Sequence, residues 1–322
     1  MNDNYGPLNG KVVAVTGASG YIGSTLVNRL SKSSCNIIKI SRKEFVDFGG
    51  GRSILADIQN PEVWFDIVSE ADVIFHLAGN TSVYEGEKDP LACFNSIVAP
   101  INHLIEAAQQ LKRRPRVIYA STATVYGITP LSPVSEAFKP KPITVYDQYK
   151  LLAENQLAFA AQDELIECVS LRLSNVYGPS AFRSSSQDRG ILNKVALMAL
   201  QNKDITIFGD GKYFRDYIFI DDVVDAMIIA STSRNIANGV FNISTGKSVS
   251  IGDAFSMVIT HASRITGSKV NSRYLPWFEG AHNIESRSYF SDPDKAFRCL
   301  GWHFRVPLEE GIDKMLRHYL TA

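Results

Sequence analysis

A glycine-rich segment near the start of the chain constrains the fold more than any other feature. Residues 11–16 read Lys-Val-Val-Ala-Val-Thr, a β-branched apolar run typical of a buried strand, and glycines follow at positions 17, 20 and 23. The next stretch, Tyr21–Leu30, has a helical pattern. Glycines with this spacing allow a tight turn, close approach of the backbone to a pyrophosphate, and close packing of the helix on the strand. The segment therefore predicts the first strand and helix of a dinucleotide-binding domain.

The first half of the chain continues as short apolar runs separated by longer helical stretches. Strands are predicted at Lys11–Thr16, Asn36–Ile40, Val73–Leu77, Arg116–Ala120 and Cys168–Leu173, and helices at Tyr21–Leu30, Pro61–Ser69, Asn95–Leu111 and Tyr146–Ala161. This alternation predicts an α/β fold with a Rossmann-type doubly wound parallel sheet. Residues 1–178 form the predicted NAD(P)-binding domain, and residues from about 215 to 245 are predicted to belong to it as well. Residues 179–322 mostly form a smaller mixed α/β substrate-binding domain.

Composition limits the partners that the protein can have. The 322 residues include 33 basic and 33 acidic side chains, so the formal net charge is zero. A protein that neutralises phosphates of nucleic acid needs a basic surplus, so we expect no nucleic-acid partner. No run approaches the ~20 apolar residues that cross a bilayer, and Met1–Gly10 lacks the features of a secretory signal. Because the four cysteines are scattered, we expect a cytoplasmic protein with neither a metal site nor a membrane partner.

The end of the second predicted strand indicates which dinucleotide binds. An acidic residue there would accept hydrogen bonds from the adenosine ribose and favour NAD. This chain has Ser41 and Arg42 instead, and a hydroxyl followed by a guanidinium suits a 2′-phosphate. We therefore expect NADP, while a solvated basic turn and tightly bound NAD remain the alternative.

Tyr146 and Lys150 are four residues apart and therefore share one face of a predicted helix. An ammonium group near a phenol lowers the pKa of that phenol, which can then exchange a proton with a sugar hydroxyl or ketone near neutral pH. Tyr149 points about 100° away on the helix and cannot share this geometry. A Tyr-x-x-x-Lys pair is common by chance, so its meaning depends on the motifs around it.

Those motifs resemble the extended short-chain dehydrogenase/reductase family, and in particular its nucleotide-sugar epimerase, reductase and dehydratase group. The resemblance rests on Thr-Gly-x-x-Gly-x-x-Gly at 16–23, His-Leu-Ala-Gly at 76–79, and the hydroxyl-rich segment Ser-Thr-Ala-Thr-Val-Tyr-Gly at 121–127. It continues in the segments 171–179, 215–223, 241–246 and 294–302. These motifs follow the order of the family over most of the chain.

The resemblance implies roles for particular residues. Thr122 is expected to hydrogen-bond the reacting oxygen, Tyr146 to be the acid/base, and Lys150 to bind the nicotinamide ribose. Besides Tyr146 and Lys150, the expected cofactor-binding residues are Gly17, Ser19, Gly20, Tyr21, Ile22, Gly23, Ser41, Arg42, Asp57, Ile58, Leu77, Ala78 and Gly79. Besides Thr122, the expected contacts to a nucleotide-diphosphate sugar are Thr81, Ser82, Asn175, Arg189, Phe208, Arg215 and Arg287. Phe208 could equally be a core residue, and Arg189 part of a solvated loop.

Departures from the family's patterns narrow the reaction. The 4,6-dehydratases of the group carry Asp-Glu after the catalytic threonine, whereas Ala123 and Thr124 stand here and cannot eliminate water. A 4-keto-6-deoxyhexose reductase using NADP(H) and an NAD-retaining 4-epimerase of the UDP-hexose type remain. Ser41 and Arg42 favour the reductase, and this is the activity that we expect. Segment 121–127 instead resembles the corresponding segment of the epimerases. A non-catalytic NADP-binding protein is only a minor alternative. The expected catalytic residues Thr122, Tyr146 and Lys150 are all present, which favours an enzyme.

The resemblance also implies a homodimer that pairs the helices predicted at Asn95–Leu111 and Tyr146–Ala161. Their apolar residues could form this interface or pack against the sheet, and periodicity does not separate the two. These residues are Ile101, Leu104, Ile105, Leu151, Leu152 and Leu157.

Overall fold

The computed structural model describes residues 8–43, 50–181 and 190–321. The strands are β1 (Val12–Thr16), β2 (Asn36–Ser41), β3 (Arg52–Leu55), β4 (Val73–His76), β5 (Arg116–Thr122), β6 (Glu167–Leu173), β7 (Asn175–Tyr177), β8 (Ile205–Phe208), β9 (Phe214–Arg215), β10 (Tyr217–Phe219), β11 (Asn238–Ile243), β12 (Val249–Ser250) and β13 (Ser272–Leu275). The helices are α1 (Tyr21–Leu30), α2 (Pro61–Glu70), α3 (Val83–Lys88), α4 (Pro90–Ile97), α5 (Ala99–Leu111), α6 (Val145–Gln162), α7 (Ile191–Leu200), α8 (Ile220–Thr232), α9 (Ile251–Thr266), α10 (Asp294–Leu300) and α11 (Leu308–Thr321).

A seven-stranded sheet organises the larger part of the molecule. Its strand order is β11-β6-β5-β4-β1-β2-β3, and all six pairings are parallel. This confirms the Rossmann-type α/β fold. All five predicted strands belong to the sheet, whereas β3 and β11 were not predicted as strands. In β3 no residue is buried, so this edge strand lacks the apolar run that marks the inner ones. The strand order reverses between β1 and β4, which is where such sheets bind ligands.

Helices cover both faces of the sheet because alternate strand residues point to opposite sides. Val13 and Val15 of β1 pack in one cluster with α1 and α8, whereas Ala14 packs with α2, α5 and α6 on the other face. Ile101, Leu104 and Leu157 are fully buried in this second cluster. They therefore belong to the core of one chain and cannot supply a dimer interface.

The helix predicted at Asn95–Leu111 is wrong as a single element. The structure has two helices, α4 and α5, that meet at Val98, and Pro100 lies in the first turn of α5. A proline ring cannot continue an α-helix from its N-terminal side, so the helix is interrupted there.

A second group of strands and helices lies at the carboxyl edge of the sheet. The short pairs β7–β10, β9–β12 and β8–β13 lie here, and α7, α9 and α11 enclose a separate apolar cluster. The buried carboxylate of Asp216 accepts hydrogen bonds from the backbone N–H groups of Thr245 (2.9 Å) and Gly246 (3.0 Å). This fixes the β9–β10 segment, which contains Arg215, against the loop after β11. The predicted domain boundaries themselves stay a prediction.

Candidate active site

The turn between β1 and α1 has no room for side chains at its first and last glycines. Gly17 has φ 70°, and a Cβ there would lie 3.0 Å from the backbone nitrogen of Ala78. A Cβ on Gly23 would lie 2.1 Å from the carbonyl oxygen of Gly17. Among the described residues no side chain caps the N-terminus of α1, and its first turn has no acidic residue. The N–H groups of the first helical turn and the positive end of the helix dipole thus lie beside bare backbone, an arrangement that fits a dinucleotide pyrophosphate.

A hydroxyl–imidazole contact holds the next part of the expected cofactor site. Thr16 Oγ1 accepts from the backbone N–H groups of Leu77 and Ala78, each at 3.2 Å, and lies 2.8 Å from His76 Nδ1. Both acceptor positions of the hydroxyl are used, so its proton goes to Nδ1 and the imidazole carries its own proton on Nε2. Burial, reinforced by the charge on Lys150, lowers the pKa of His76 to about 3. The Thr16 hydroxyl, oriented by the neutral His76, therefore fixes residues 77 and 78 against the end of β1.

At the end of β2, the two residues expected to select the dinucleotide have different surroundings. Ser41 Oγ lies 2.6 Å from Ser19 Oγ and also hydrogen-bonds the backbone of Lys43, so it closes the turn. The side chain of Arg42 is 66% exposed and approaches the Asp57 carboxylate at 4.0 Å. A neighbouring cavity of about 440 Å³ is lined by Arg42, Gln59, Gly79, Asn80, Thr81, Ser96 and others. Arg42 is thus accessible to a ligand, whereas the Ser41 hydroxyl is already engaged.

The three expected catalytic residues lie where β5 ends and α6 begins. Thr122 is the last residue of β5, and Tyr146 and Lys150 occupy successive turns of α6. Lys150 Nζ donates to the carbonyl oxygen of Ala120 at 2.8 Å, which ties α6 to the end of β5. Burial lowers the pKa of Lys150 to about 8, and the carboxylate of Glu154 partly offsets this. At neutral pH the lysine is still an ammonium whose charge can stabilise a phenolate at Tyr146.

Two residues that the sequence analysis did not select connect the same elements. Thr124 Oγ1 donates to Oδ1 of Asp147, the residue after Tyr146, and Thr122 Oγ1 lies 2.8 Å from Thr124 Oγ1. Thr122 Oγ1 also accepts from the backbone N–H of Thr124 at 3.2 Å. Asp147 is fully buried, and burial raises the pKa of its carboxyl. In the sequence, an aspartate in a first helical turn suggests only a favourable dipole interaction.

A buried ion pair lies beneath the catalytic residues and was also missed. Arg172 of β6 donates from Nε (3.1 Å) and Nη2 (2.6 Å) to the carboxylate of Glu154, which also accepts from Ser121 Oγ. The Arg172 guanidinium lies 4.8 Å from the ring centroid of Tyr126. Glu154 is four residues after Lys150, so it anchors the catalytic face of α6 to the sheet.

Two buried arginines meet on the substrate side of the site. Arg215 and Arg287 are 7% and 8% exposed, and Arg215 donates to the backbone carbonyl oxygens of Arg287 and of Glu285 (2.6 Å). Neither forms an ion pair within the described ranges. Burial and the neighbouring Arg287 lower the pKa of Arg215 to about 10. Unpaired buried cations are costly unless an anion binds, so this pair suits a diphosphate.

Aromatic rings lie near the arginines. Phe208 stacks on Trp277 with ring centroids 6.0 Å apart, and Phe278 packs on its edge at 5.4 Å. Tyr84 of α3 contacts Phe278 at 6.2 Å, and its hydroxyl donates to Glu285 at 3.1 Å. This cluster is partly open, because Phe278 is 45% exposed. Phe208 is therefore half-buried in an aromatic group rather than part of the main core.

The remaining residues that were expected to contact the substrate do not form one cluster. The hydroxyl of Ser82 accepts from the N–H of Glu85 at 3.2 Å and caps α3, while Thr81 is exposed beside it. The side-chain amide of Asn175, at the start of β7, makes no hydrogen bond to the described part of the chain. Arg189 lies outside the described residues.

Comparison with known proteins agrees with this geometry. A model of the NAD-dependent epimerase/dehydratase family matches residues 13–244. The chain belongs to that family. The predicted extended short-chain dehydrogenase/reductase identity is thereby confirmed, and the protein is an NAD(P)-dependent enzyme of this family.

Relatives within the NAD-dependent epimerase/dehydratase family match the chain over nearly its full length. A UDP-glucose 4-epimerase from Mycolicibacterium smegmatis is 29% identical over 95% of this chain and 97% of its own. The crystal structure of the Thermotoga maritima UDP-glucose 4-epimerase with UDP-glucose has a TM-score of 0.85 and 28% identity, covering 96% and 99% of the two chains. The UDP-glucuronic acid 4-epimerase of Bacillus cereus, in complex with UDP-glucuronic acid and NAD, has a TM-score of 0.81 and 26% identity, covering 96% and 99%. These similarities support the epimerase alternative better than the ketoreductase that the sequence analysis favoured.

Proposed function

We propose that this protein is an NAD-dependent 4-epimerase of UDP-sugars. The observation that carries the proposal is the group Thr122, Tyr146 and Lys150 beside two buried arginines that lack ion-pair partners in the described ranges. The first group handles a proton on a sugar oxygen, and the arginines suit the diphosphate that links the sugar to its nucleoside. The choice of sugar C4 as the reacting carbon and of UDP as the nucleotide rests on the similarity to the UDP-sugar 4-epimerases.

The residues of this chain divide the reaction between them. The bare backbone of the β1–α1 turn and the N-terminus of α1 would hold the dinucleotide pyrophosphate, and Lys150 its nicotinamide ribose. When bound, NAD supplies the acceptor that takes a hydride from sugar C4 and later returns it to the opposite face. Tyr146 takes the proton from the 4-hydroxyl and gives it back, while the Lys150 ammonium stabilises the phenolate. Thr122 hydrogen-bonds the same oxygen.

The site lacks the groups that the competing dehydration needs. Ala123 and Thr124 follow Thr122, and neither side chain is an acid or base that could eliminate water. The diphosphate held by Arg215 and Arg287 provides an anchor about which a 4-keto sugar can turn. Epimerisation requires that rotation and consumes no external reductant.

The experiment is an assay of the purified enzyme with UDP-glucose, UDP-galactose, UDP-arabinose and UDP-glucuronic acid, followed by chromatography of the products. We expect interconversion of at least one C4 pair without added NADH or NADPH. Tyr146→Phe should lower kcat by at least about 100-fold, the usual contribution of a general acid/base. Tyr149→Phe is the matched control, because Tyr149 packs on Phe94 at 5.5 Å away from the reacting groups. Equal activity of the two variants would refute the assigned acid/base.

The nucleotide released on denaturing the purified protein provides a second test. Retained NAD supports an epimerase, because that cycle regenerates its cofactor within one turnover. An empty protein that binds NADPH much more tightly than NADH would instead support the 4-keto-6-deoxyhexose reductase. Accessible Arg42 is the observation that keeps this second candidate open.

We also propose a cytoplasmic homodimer joined through α4, α5 and α6. Leu91 (69% exposed), Leu111 (38%), Leu152 (39%) and Phe159 (65%) are large apolar side chains on the outer faces of these helices. The expectation that no segment is long and apolar enough to cross a bilayer is wrong for Pro90–Leu111, which contains α4 and α5, by length and composition alone. Because 44% of its apolar window is already buried inside the protein, we assign its exposed apolar side chains to a partner chain rather than to a membrane. A dimer would cover this surface, and analytical ultracentrifugation of the wild type and Phe159→Glu tests it: the variant should be monomeric.

A further inference from the structure

The hydroxyls of Thr122 and Thr124 form a hydrogen-bonded chain that leads from the reacting oxygen to the buried carboxylate of Asp147. Thr122 Oγ1 lies 2.8 Å from Thr124 Oγ1, and Thr124 Oγ1 is hydrogen-bonded to Asp147 Oδ1. Asp147 Oδ2 is buried and has no hydrogen-bond partner in the described structure. Two hydroxyls support this carboxylate, those of Thr124 and Thr144, and the Thr124 hydroxyl is the one that also contacts Thr122.

The proton on Asp147 decides the direction of this chain. A carboxylate only accepts, so Thr124 then gives its proton to Asp147 and must accept from Thr122. Thr122, which also accepts from the N–H of Thr124, is left with one lone pair for the substrate. When Asp147 is protonated, the two bonds between side chains reverse: Asp147 donates to Thr124, and Thr124 donates to Thr122. The backbone N–H of Thr124 still donates to Thr122, so the proton of Thr122 becomes available to the substrate.

Only the second direction suits the reacting oxygen. The single proton of the C4 alcohol goes to Tyr146 in the proposed reaction, and the 4-ketone has no proton, so the oxygen can only accept a hydrogen bond from Thr122. We propose that Asp147 is a positioning residue which determines, through Thr124, whether the Thr122 hydroxyl donates to the reacting oxygen. The proposal rests on the proposed function in assigning the proton of the C4 alcohol to Tyr146.

The surroundings of Asp147 make both protonation states accessible. Burial favours the neutral acid and raises the pKa, while hydrogen bonds from Thr124 and Thr144 and the charges of Arg287 and His282 favour the carboxylate. Arg287 and His282 flank the short helical turn at Asn283–Ser286, whereas Thr144 caps α6 itself. Because Arg287 also lies beside Arg215, binding of an anion there would weaken its support for the Asp147 carboxylate.

Two substitutions at Thr124 test the connection with little change of shape. Thr124→Val keeps the volume and removes the hydroxyl, whereas Thr124→Ser keeps the hydroxyl. We expect Thr124→Val to lower kcat by about 10- to 100-fold, the range for partners that orient a reacting group, with KM within about threefold. Thr124→Ser should stay within about threefold of wild type in kcat. Asp222→Asn, a buried carboxylate that binds only the backbone of residues 305 and 306, is the control and should leave kcat unchanged.

A measurement without substrate separates this proposal from the proposed function. The ¹³Cγ resonance of Asp147, identified by its loss in Asp147→Asn, is titrated in protein with labelled aspartate. Thr124→Val should raise the pKa of Asp147, because the ionised carboxylate loses a donor. An unchanged titration, or full kcat in Thr124→Val, overturns the proposal. If the wild type converts no UDP-sugar, the proposed function fails, and the titration alone decides whether the Thr124 hydroxyl donates to the Asp147 carboxylate.

Discussion

Acid should weaken the fold through one histidine beneath the cofactor site. His76 is 1% exposed, and burial lowers its pKa to about 3 from the ordinary value of 6.5. The unfolded chain therefore binds a proton between pH 6.5 and 3 that the folded chain does not, so stability is present above pH 6.5 and is lost as the pH falls. At pH 5 the difference spans about 1.5 pKa units, or about 2 kcal/mol at 1.36 kcal/mol per unit.

The hydrogen bonds at Thr16 give a structural reason for this penalty. Its hydroxyl already accepts two backbone N–H groups and donates to His76 Nδ1. A proton on Nδ1 would need a third acceptor position, which a hydroxyl does not have. Protonation therefore breaks a contact that holds Leu77 and Ala78.

The assay is urea unfolding of the wild type and of His76→Asn between pH 7.5 and 5. The variant keeps an acceptor for Thr16 but does not titrate, so its free energy of unfolding should fall by about 2 kcal/mol less than that of the wild type. Its lower stability at pH 7.5, from loss of the ring, does not affect this comparison. His303→Asn, at an exposed histidine, should follow the wild type. Parallel pH dependences of the wild type and His76→Asn would refute the reasoning.

Three further predictions concern the cofactor and the rate. Gly23→Ala should weaken dinucleotide binding by about 10- to 100-fold in a fluorescence titration, because overpacking against the Gly17 carbonyl costs about 1–3 kcal/mol; unchanged affinity would show that the turn does not hold the pyrophosphate. The kcat/KM profile should decline above about pH 8 as Lys150 loses its proton, and a flat profile to pH 9.5 would contradict the role of its charge. Ser41→Asp should shift the ratio of NAD to NADP affinity by at least about tenfold toward NAD, since a carboxylate binds the ribose hydroxyls and repels a 2′-phosphate. Equal ratios in isothermal titration calorimetry would mean that the end of β2 does not select the dinucleotide.

Local chemistry explains why much of the fold was predictable. The helix at Tyr21–Leu30 has the predicted bounds, and the five predicted strands differ from the observed ones by at most two residues at an end. Glycine spacing, β-branched runs and a four-residue Tyr–Lys spacing depend on steric effects over a few residues, which the sequence displays directly. The edge strand β3 was not predicted because none of its four residues is buried and only Ile54 packs against the core.

The sequence by itself thus determined the dinucleotide turn, the parallel sheet and the pairing of Tyr146 with Lys150 on one helical face. Only the tertiary structure decided that Arg287 lies against Arg215, 72 residues away, and that the carboxylate of Asp147 reaches Thr122 through Thr124. It also decided that Ile101, Leu104 and Leu157 face the core rather than a partner. A helical pattern shows that a face is apolar but not what covers it, and contacts between distant segments exist only once the sheet brings its strand ends together.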